Sequence, residues 1–312
     1  MPRNLAVRYR LERRLGRGGM GAVYEASDVT LSRRVAVKVL REDRLDSAGA
    51  TQRFQREARA AAGFAHPNVV TIHDYGIVAG TLAFLVMELL EGATLREELK
   101  SRKRLSAART VEIFRGVCSA VEAEHNRQLI HRDLKPENIF LARSSDTGSE
   151  TVKVLDFGIA KFQPGSEQGT GMITSGETDT GILVGTPGYI SPDQLLAEKP
   201  AASWDLWALA VTDYETLAGA LPFPAATRDH WCQSVLEGRY TPLSKHLANP
   251  PAPWEEFFGS SLAADRTRRP QSAAELQRHL EEALARSPLG FYAPLAYSWT
   301  CALLRPGFLP KL

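Results

Sequence analysis

The motif His-Arg-Asp-Leu-Lys-Pro-Glu-Asn occupies positions 131–138, and Asp-Phe-Gly follows it at 156–158. Upstream of both motifs, about ninety residues consist mainly of short apolar runs rich in valine and alanine, separated by glycine or polar turns, which is typical of β-strands. Farther along the chain, apolar residues recur at helical spacing. The change of pattern near 88–92 predicts an α+β, bilobal architecture, with a small β-rich lobe, a short hinge and a larger, mainly helical lobe.

The predicted elements follow from these patterns. Strands are expected at 9–15, 22–27, 34–40, 69–75 and 82–89. Strong helix formers at 52–62 predict one helix in the first lobe, which Gly63 and the following His66-Pro67 should end. Further helices are expected at 95–99, 111–125, 204–217 and 273–285.

Length and composition limit the class of protein. The 312 residues exceed one small domain, and 44% hydrophobic with 24% charged residues allow a sizeable core. A formal charge of +2 is too small to indicate nucleic acid or membrane partners. The three cysteines lie too far apart for a disulfide framework or a paired zinc site. Because neither a signal peptide nor a confident membrane span is evident, we expect a cytoplasmic location and no membrane association.

A glycine-rich stretch reads Gly-Arg-Gly-Gly-Met-Gly-Ala-Val at 16–23. The same glycine spacing occurs in the Rossmann dinucleotide-binding motif, where a helix follows the third glycine. Here Val23-Tyr24-Glu25-Ala26 continues as a strand, and the next element is again a strand. The pattern therefore favours a hairpin whose backbone N–H groups close over phosphates.

Lys38 lies in the apolar strand Val-Ala-Val-Lys at 35–38, where an unpaired ammonium would be costly to bury. One alternative is a surface lysine whose head reaches solvent. The other is a counter-charge from Glu57 on the predicted helix, in which case Lys38 would hold phosphate oxygens and Glu57 would orient it.

Taken together, these motifs match the signature set of protein kinases in order and spacing. The chain resembles eukaryotic-like, bacterial-type serine/threonine protein kinases over roughly 9–285. The resemblance implies an N-terminal arm at 1–8, an N-lobe at 9–87, a hinge at 88–92 and a C-lobe at 93–285. The apolar segment 286–312 has no assigned role: packing on the helical lobe, binding a partner and dipping into a membrane are the alternatives.

The resemblance also implies a role for each motif in phosphoryl transfer from ATP, which depends on positioning and charge compensation. Asp133 would accept the proton of the substrate hydroxyl, and Lys135 would neutralise charge on the γ-phosphate. Asn138 and Asp156 would hold Mg²⁺, or alternatively Mn²⁺, through oxygen ligands. Thr186 would bond to Asp133 and Lys135.

The nucleotide would bind through residues of the glycine-rich loop, the adjoining strands and the hinge. The implied set is Leu15, Gly16, Gly18, Gly21, Val23, Ala36, Lys38, Met87, Glu88, Leu90 and Phe140. Val23 and Ala36 would form the roof of the adenine pocket and Phe140 its floor, with Met87 as gatekeeper. The hinge residues Glu88 and Leu90 would offer main-chain groups to the base; for Leu90, a plain core role is the alternative.

The implied substrates are serine and threonine hydroxyls of proteins, because a lysine two positions after the catalytic aspartate is the serine/threonine pattern. Arg132 and Lys161 would form a basic pocket for a phosphorylated activation loop. Thr178 and Thr180 are the expected autophosphorylation sites, and a dimer would allow the reaction in trans.

Two positions depart from the family pattern. Asp193 stands where the family has glutamate, and we expect it to pair with Arg269; Ala210 stands where the family has glycine. Neither change removes a catalytic group. A pseudokinase scaffold that binds nucleotide or partners without turnover remains the alternative from another class, and a small-molecule kinase is a third interpretation.

Overall fold

The computed structural model describes residues 4–5, 8–18, 21–40, 48–78, 82–144, 146–156, 188–224 and 227–285. The predictions for Lys161, Thr178, Thr180, Thr186 and the segment 286–312 lie outside them.

The first lobe is built on a sheet of six antiparallel strands in the order β1-β2-β3-β4-β6-β5. The strands are β1 (Asn4–Leu5), β2 (Tyr9–Gly18), β3 (Gly21–Asp28), β4 (Arg33–Leu40), β5 (Ile72–Val78) and β6 (Leu82–Glu88). Part of the predicted N-terminal arm therefore extends this sheet, and Leu5 is completely buried.

Alternation along β4 decides which side chains face the cleft. Val35, Val37 and Val39 are buried in an apolar cluster on one face of the sheet. Because side chains alternate along a strand, Ala36 and Lys38 lie on the opposite face. The sequence pattern of this strand thus separates a packing face from a functional face.

Among the described residues of the first lobe, one helix is present, α1 (Ala48–Ala62), and it packs against β5. Its buried residues Phe54, Ala58 and Ala61 recur at helical spacing, and the ring of Phe54 meets Tyr75 edge-on at 6.3 Å between centroids. The helix ends at Ala62 as predicted, although it begins earlier than expected.

The second lobe combines a small sheet with seven described helices. The antiparallel strands are β7 (Gly92–Thr94), β8 (Ile139–Arg143) and β9 (Glu150–Val154). The helices are α2 (Leu95–Arg102), α3 (Ala107–His125), α4 (Pro192–Leu195), α5 (Ala202–Ala218), α6 (Arg228–Leu236), α7 (Ala252–Ser261) and α8 (Ala273–Ala285). The prediction for α3 began four positions too late, because Ser106 caps the helix by accepting a hydrogen bond from the N–H of Arg109. Within the described ranges, no helix has the length and apolar character needed to cross a membrane.

The segment 68–71 connects the two lobes. The N–H of Val70 donates to the oxygen of Val154, and the N–H of Val154 donates to the oxygen of Asn68. These residues therefore pair with β9, which explains why β5 begins at Ile72 and not at Val69 as predicted. The arrangement brings the end of β9, and Asp156 just beyond it, against the first lobe.

Candidate active site

The backbone of the 131–138 motif is held by one carboxylate on α5. Asp205, which is 1% exposed, accepts hydrogen bonds from the N–H groups of His131 and Arg132, both at 2.8 Å. Its Oδ2 also lies 2.9 Å from Nε2 of His125. Arg132 has a φ of +65°, a conformation that costs energy in a residue other than glycine. Asp205 therefore stabilises a strained turn of the loop.

Sequence reasoning assigned no role to Asp205. The local signal was an aspartate in the first turn of a mainly apolar helix, at the start of the same family motif as Ala210. Such a residue is also a common favourable choice near a helix N-terminus, so the signal does not identify a distant partner.

Three predicted site residues converge immediately after this turn. Oδ2 of Asp133 lies 2.9 Å from Nζ of Lys135 and accepts a hydrogen bond from Nδ2 of Asn138 at 3.2 Å. The same Nδ2 donates to the main-chain oxygen of Asp133 at 2.7 Å. A half-buried carboxylate next to an ammonium can accept a hydroxyl proton while positive charge remains close by.

The orientation of Asn138 fits a cation ligand. Because its NH₂ group is directed at Asp133, its amide oxygen, on the other branch of the planar amide, points in a different direction. The N–H of Leu155 donates to the main-chain oxygen of Asn138 at 2.8 Å. Asp156 is the next residue in the chain, so this bond holds it close to the 131–138 motif. A carboxylate and an amide oxygen are the donor types that Mg²⁺ prefers.

Lys38 is buried and paired, which excludes the alternative of a surface lysine. Its side chain is 6% exposed, and Nζ lies 2.7 Å from Oδ1 of Asp156. The described ion pair of Lys38 is thus with Asp156 and differs from the predicted pair with Glu57. A buried ammonium requires a nearby counter-charge, and Asp156 provides it across the two lobes. Glu57 lies half-buried on α1, and its orienting role stays a prediction.

The glycine-rich stretch forms the end of a β-hairpin, as the sequence favoured. Gly16 pairs with Val23 and Gly18 with Gly21, and β3 continues directly without a helix. Gly21 has a φ of +153°, and a Cβ atom there would lie 2.0 Å from the main-chain oxygen of Val39. Glycine is therefore required at this position for the hairpin to pack on β4.

The strand register gathers the predicted roof and gatekeeper on one face. Val23 is directly opposite Lys38, and Ala36 is directly opposite Met87. Residues opposite each other share a face of the sheet, and so do positions 36 and 38 of one strand. All four side chains consequently lie on the face turned away from the apolar cluster of the first lobe.

The remaining predicted nucleotide contacts lie on other elements. Leu15 on β2 is largely exposed, Leu90 in the hinge is half-buried, and Phe140 lies half-buried on β8. The N–H of Glu88 donates to the oxygen of Thr71 at 3.0 Å. The main-chain contact predicted between Glu88 and the base therefore has to be made by the carbonyl group of Glu88.

The expected pair between Asp193 and Arg269 is confirmed. Oδ2 of Asp193 lies 2.6 Å from a terminal guanidinium nitrogen of Arg269, and both side chains are buried. The guanidinium also donates to the main-chain oxygens of Ala263 and Ala264 and lies over the ring of Trp207 at 4.9 Å. The shorter aspartate thus keeps the ion pair.

Comparisons with known proteins agree with this geometry. Residues 9–280 match the family described as protein kinase domain. Serine/threonine-protein kinase Pkn1 of Myxococcus xanthus is 38% identical over 288 residues, covering 92% of this chain and 37% of the relative. Serine/threonine-protein kinase PknA of Mycobacterium tuberculosis (strain ATCC 25618 / H37Rv) is 37% identical over 253 residues, covering 80% and 53%. The chain thus spans about a third to a half of the length of these curated relatives.

A solved structure supports the fold independently. The kinase domain of Mycobacterium tuberculosis PknI superposes with a TM-score of 0.68 at 24% sequence identity, covering 88% of this chain and 96% of that domain. The expected bilobal α+β architecture and the resemblance drawn from the motifs are both confirmed. The chain belongs to the protein kinase family.

Proposed function

We propose that the protein is an ATP-dependent serine/threonine protein kinase that transfers a phosphoryl group to hydroxyl groups of other proteins. The observation that carries the proposal is the convergence of Asp133, Lys135 and Asn138 in one hydrogen-bonded cluster, with Asp156 next to Lys38. The names of the curated relatives support the serine/threonine class.

ATP would supply the phosphoryl group, and Mg²⁺ or Mn²⁺ held by Asn138 and Asp156 would supply positive charge at its phosphates. Asp133 orients the substrate hydroxyl and accepts its proton. Lys135, 2.9 Å from that carboxylate, offsets the negative charge that gathers beside it. The ammonium group of Lys38 holds phosphate oxygens of ATP. It must therefore bond to these oxygens and to Asp156 at the same time.

The backbone of the glycine hairpin and the carbonyl group of Glu88 hold the nucleotide at its two ends. The side chains on the functional face of β4 exclude water from the adenine between them. None of these residues forms a covalent bond with the phosphoryl group, because phosphoryl transfer depends mainly on positioning and charge stabilisation.

Several finer features belong to the same proposal. We propose autophosphorylation at Thr178 and Thr180, a pocket formed by Arg132 and Lys161 for the modified loop, and bonding of Thr186 to the catalytic pair. A transient dimer would permit the reaction in trans. We also propose a cytoplasmic location, and the near-neutral charge of +2 gives no indication of nucleic acid partners.

The test is transfer of labelled phosphate from ATP in the presence of Mg²⁺ to the protein itself and to a generic basic protein. Asp133→Asn, Asp156→Ala and Lys38→Ala should each reduce transfer at least about a hundredfold. Glu282→Gln, which removes an exposed carboxylate paired with Arg278 on α8, serves as the control and should leave transfer unchanged.

Nucleotide binding without transfer under any metal condition would favour the pseudokinase scaffold. ATP consumption with metabolites but not with proteins would favour a small-molecule kinase. Phosphopeptide mapping of active protein against Asp133→Asn decides the proposed phosphosites, because modification must appear at Thr178 or Thr180 in the active form alone.

A further inference from the structure

An ion pair outside the reacting cluster joins the two lobes at the hinge. Nζ of Lys153, on β9, donates to Oε1 of Glu88 at 2.8 Å, at the end of β6. The side chains are only 15% and 26% exposed, respectively. Partial burial reduces the screening that makes most surface ion pairs weak.

The connecting segment 68–71 binds both members of this pair. The N–H of Thr71 donates to the same Oε1 of Glu88 at 2.8 Å, while the N–H of Glu88 donates to the oxygen of Thr71 at 3.0 Å. Nζ of Lys153 donates in addition to the oxygen of Val69 at 3.3 Å. One carboxylate oxygen therefore receives two donors, and one ammonium bonds both to the hinge and to the connecting segment.

One member of the pair is itself a predicted nucleotide contact, and the other is adjacent in the sheet to such a contact. Glu88 carries the hinge carbonyl group expected to meet the base. Lys153 lies directly opposite Phe140, the predicted floor of the adenine pocket, and three positions before Asp156. Residues opposite each other in a sheet share a face, so a shift of Lys153 moves the surroundings of Phe140.

We propose that Glu88 and Lys153 form a positioning pair that sets the affinity for ATP. The pair holds the hinge carbonyl group in a fixed position relative to the β9 side of the cleft. The proposal rests on the proposed function. Neither residue touches the reacting atoms. Charge-assisted hydrogen bonds to a half-buried carboxylate restrict its position more strongly than neutral bonds, and loss of the ammonium leaves that carboxylate without its counter-charge.

The decisive variant is Lys153→Met, which keeps an unbranched side chain of similar length and removes the charge. We expect the KM for ATP to rise about tenfold, which corresponds to about 1.4 kcal/mol, with kcat within about twofold of the wild type. The Kd for ADP, measured by titration calorimetry, should rise by the same factor. Lys153→Arg, which retains a cation, should restore both quantities to within about twofold.

A matched control breaks another ion pair of the same strand. Glu150 at the start of β9 lies 2.6 Å from a guanidinium nitrogen of Arg109, with side chains exposed to 21% and 22%. Glu150→Gln should leave the KM for ATP and the Kd for ADP unchanged. Should Lys153→Met fail to fold, Glu88→Gln carries the same test, since its amide oxygen can still accept the N–H of Thr71.

Unchanged affinity for ATP and ADP in Lys153→Met and Glu88→Gln would overturn the proposal. So would a rise in kcat at constant Kd, because the pair would then restrain activity without positioning the nucleotide. A wild-type protein that binds ADP but transfers no phosphate would disprove the proposed function alone, while the ADP titration would still decide the role of the pair.

Discussion

Asp205 holds the turn that precedes the residues proposed to carry the chemistry. Its two oxygens accept the N–H groups of His131 and Arg132 inside the protein, where no solvent can replace them. A buried N–H group without an acceptor costs about 1–3 kcal/mol. The turn before Asp133 is thus maintained by a residue from a different element.

We expect Asp205→Asn to lower kcat about a hundredfold, the size of effect that a small misplacement of a catalytic group produces. The amide keeps the shape of the side chain but directs an NH₂ group at one of the two main-chain N–H groups. The melting temperature should fall as well. Steady-state kinetics and thermal unfolding measure both effects, with Asp229→Asn at the exposed start of α6 as control. An unaltered kcat in Asp205→Asn would contradict this role.

Asp213 is a second buried carboxylate, also on α5, and it has no hydrogen-bond partner among the described contacts. Burial raises the pKa of its carboxyl group well above the ordinary value of 3.8. Glu124 on α3 resembles it: burial and the charge of Asp205 raise the pKa of Glu124. The surroundings of both groups therefore favour the protonated form.

The raised pKa of Asp213 predicts a pH-dependent stability. Its protonation stabilises the folded state fully below the unfolded-state pKa, and this contribution is lost as pH rises through the higher folded-state pKa. Relative to Asp213→Asn, the free energy of unfolding of the wild type should therefore fall by about 1.4 kcal/mol per pH unit across that window. Urea unfolding from pH 4 upward measures it; a difference that does not vary with pH would exclude the mechanism.

At the scale of elements, the β2–β3 hairpin needs its glycines for two different reasons. Gly21 packs so closely on Val39 that no side chain fits. A Cβ at Gly16 or Gly18 would instead meet no atom within 4 Å. The structure therefore requires glycine for folding only at position 21. At positions 16 and 18, glycine is required only if a ligand approaches the hairpin.

Gly21→Ala should lower the free energy of unfolding by about 1–3 kcal/mol and weaken ATP binding, because β3 must move away from β4. Gly16→Ala and Gly18→Ala should leave stability unchanged yet raise the KM for ATP, since the added methyl groups meet the phosphates. Parallel melting curves and ATP kinetics distinguish the two classes. Equal loss of stability in all three variants would refute the distinction.

At the scale of the whole molecule, one apolar core runs through both lobes. It includes Phe54 of α1, Val154 of β9, Trp207 of α5 and Leu280 of α8, whereas a smaller cluster covers the other face of the first sheet. Since α1 and the second lobe share this core, we expect the two lobes to unfold largely together.

This core also supports the proposed domain boundary at 285. Leu276, Leu280 and Leu284 of α8 are 0–1% exposed, and removing one such leucine side chain costs about 2–5 kcal/mol. A chain of residues 1–286 should keep the wild-type melting temperature within about 2 °C. A chain ending at Gln271 should not fold, since the loss exceeds the stability of about 5–15 kcal/mol of most proteins. Calorimetry tests both, and a large loss in the longer chain would show that 286–312 packs on the lobe.

The sequence alone identified the protein kinase motifs, the glycine hairpin and helix α1 of the first lobe. These features depend on residue order within short stretches, where spacing and turn chemistry act locally. It also led to the pair between Asp193 and Arg269, because the aspartate is shorter than the family's glutamate but carries the same charge.

Only the tertiary structure decided which distant groups meet. Lys38 pairs with Asp156, Arg132 in the 131–138 motif bonds to a residue 73 positions away, and Glu88 bonds to a lysine 65 positions away. Each of these contacts joins elements that the packing of sheets and helices brings together. A carboxylate has the same appearance in the sequence whether it ends a strand, caps a helix or faces a buried cation. Its role is decided by its burial and by the groups that the fold brings into contact with it.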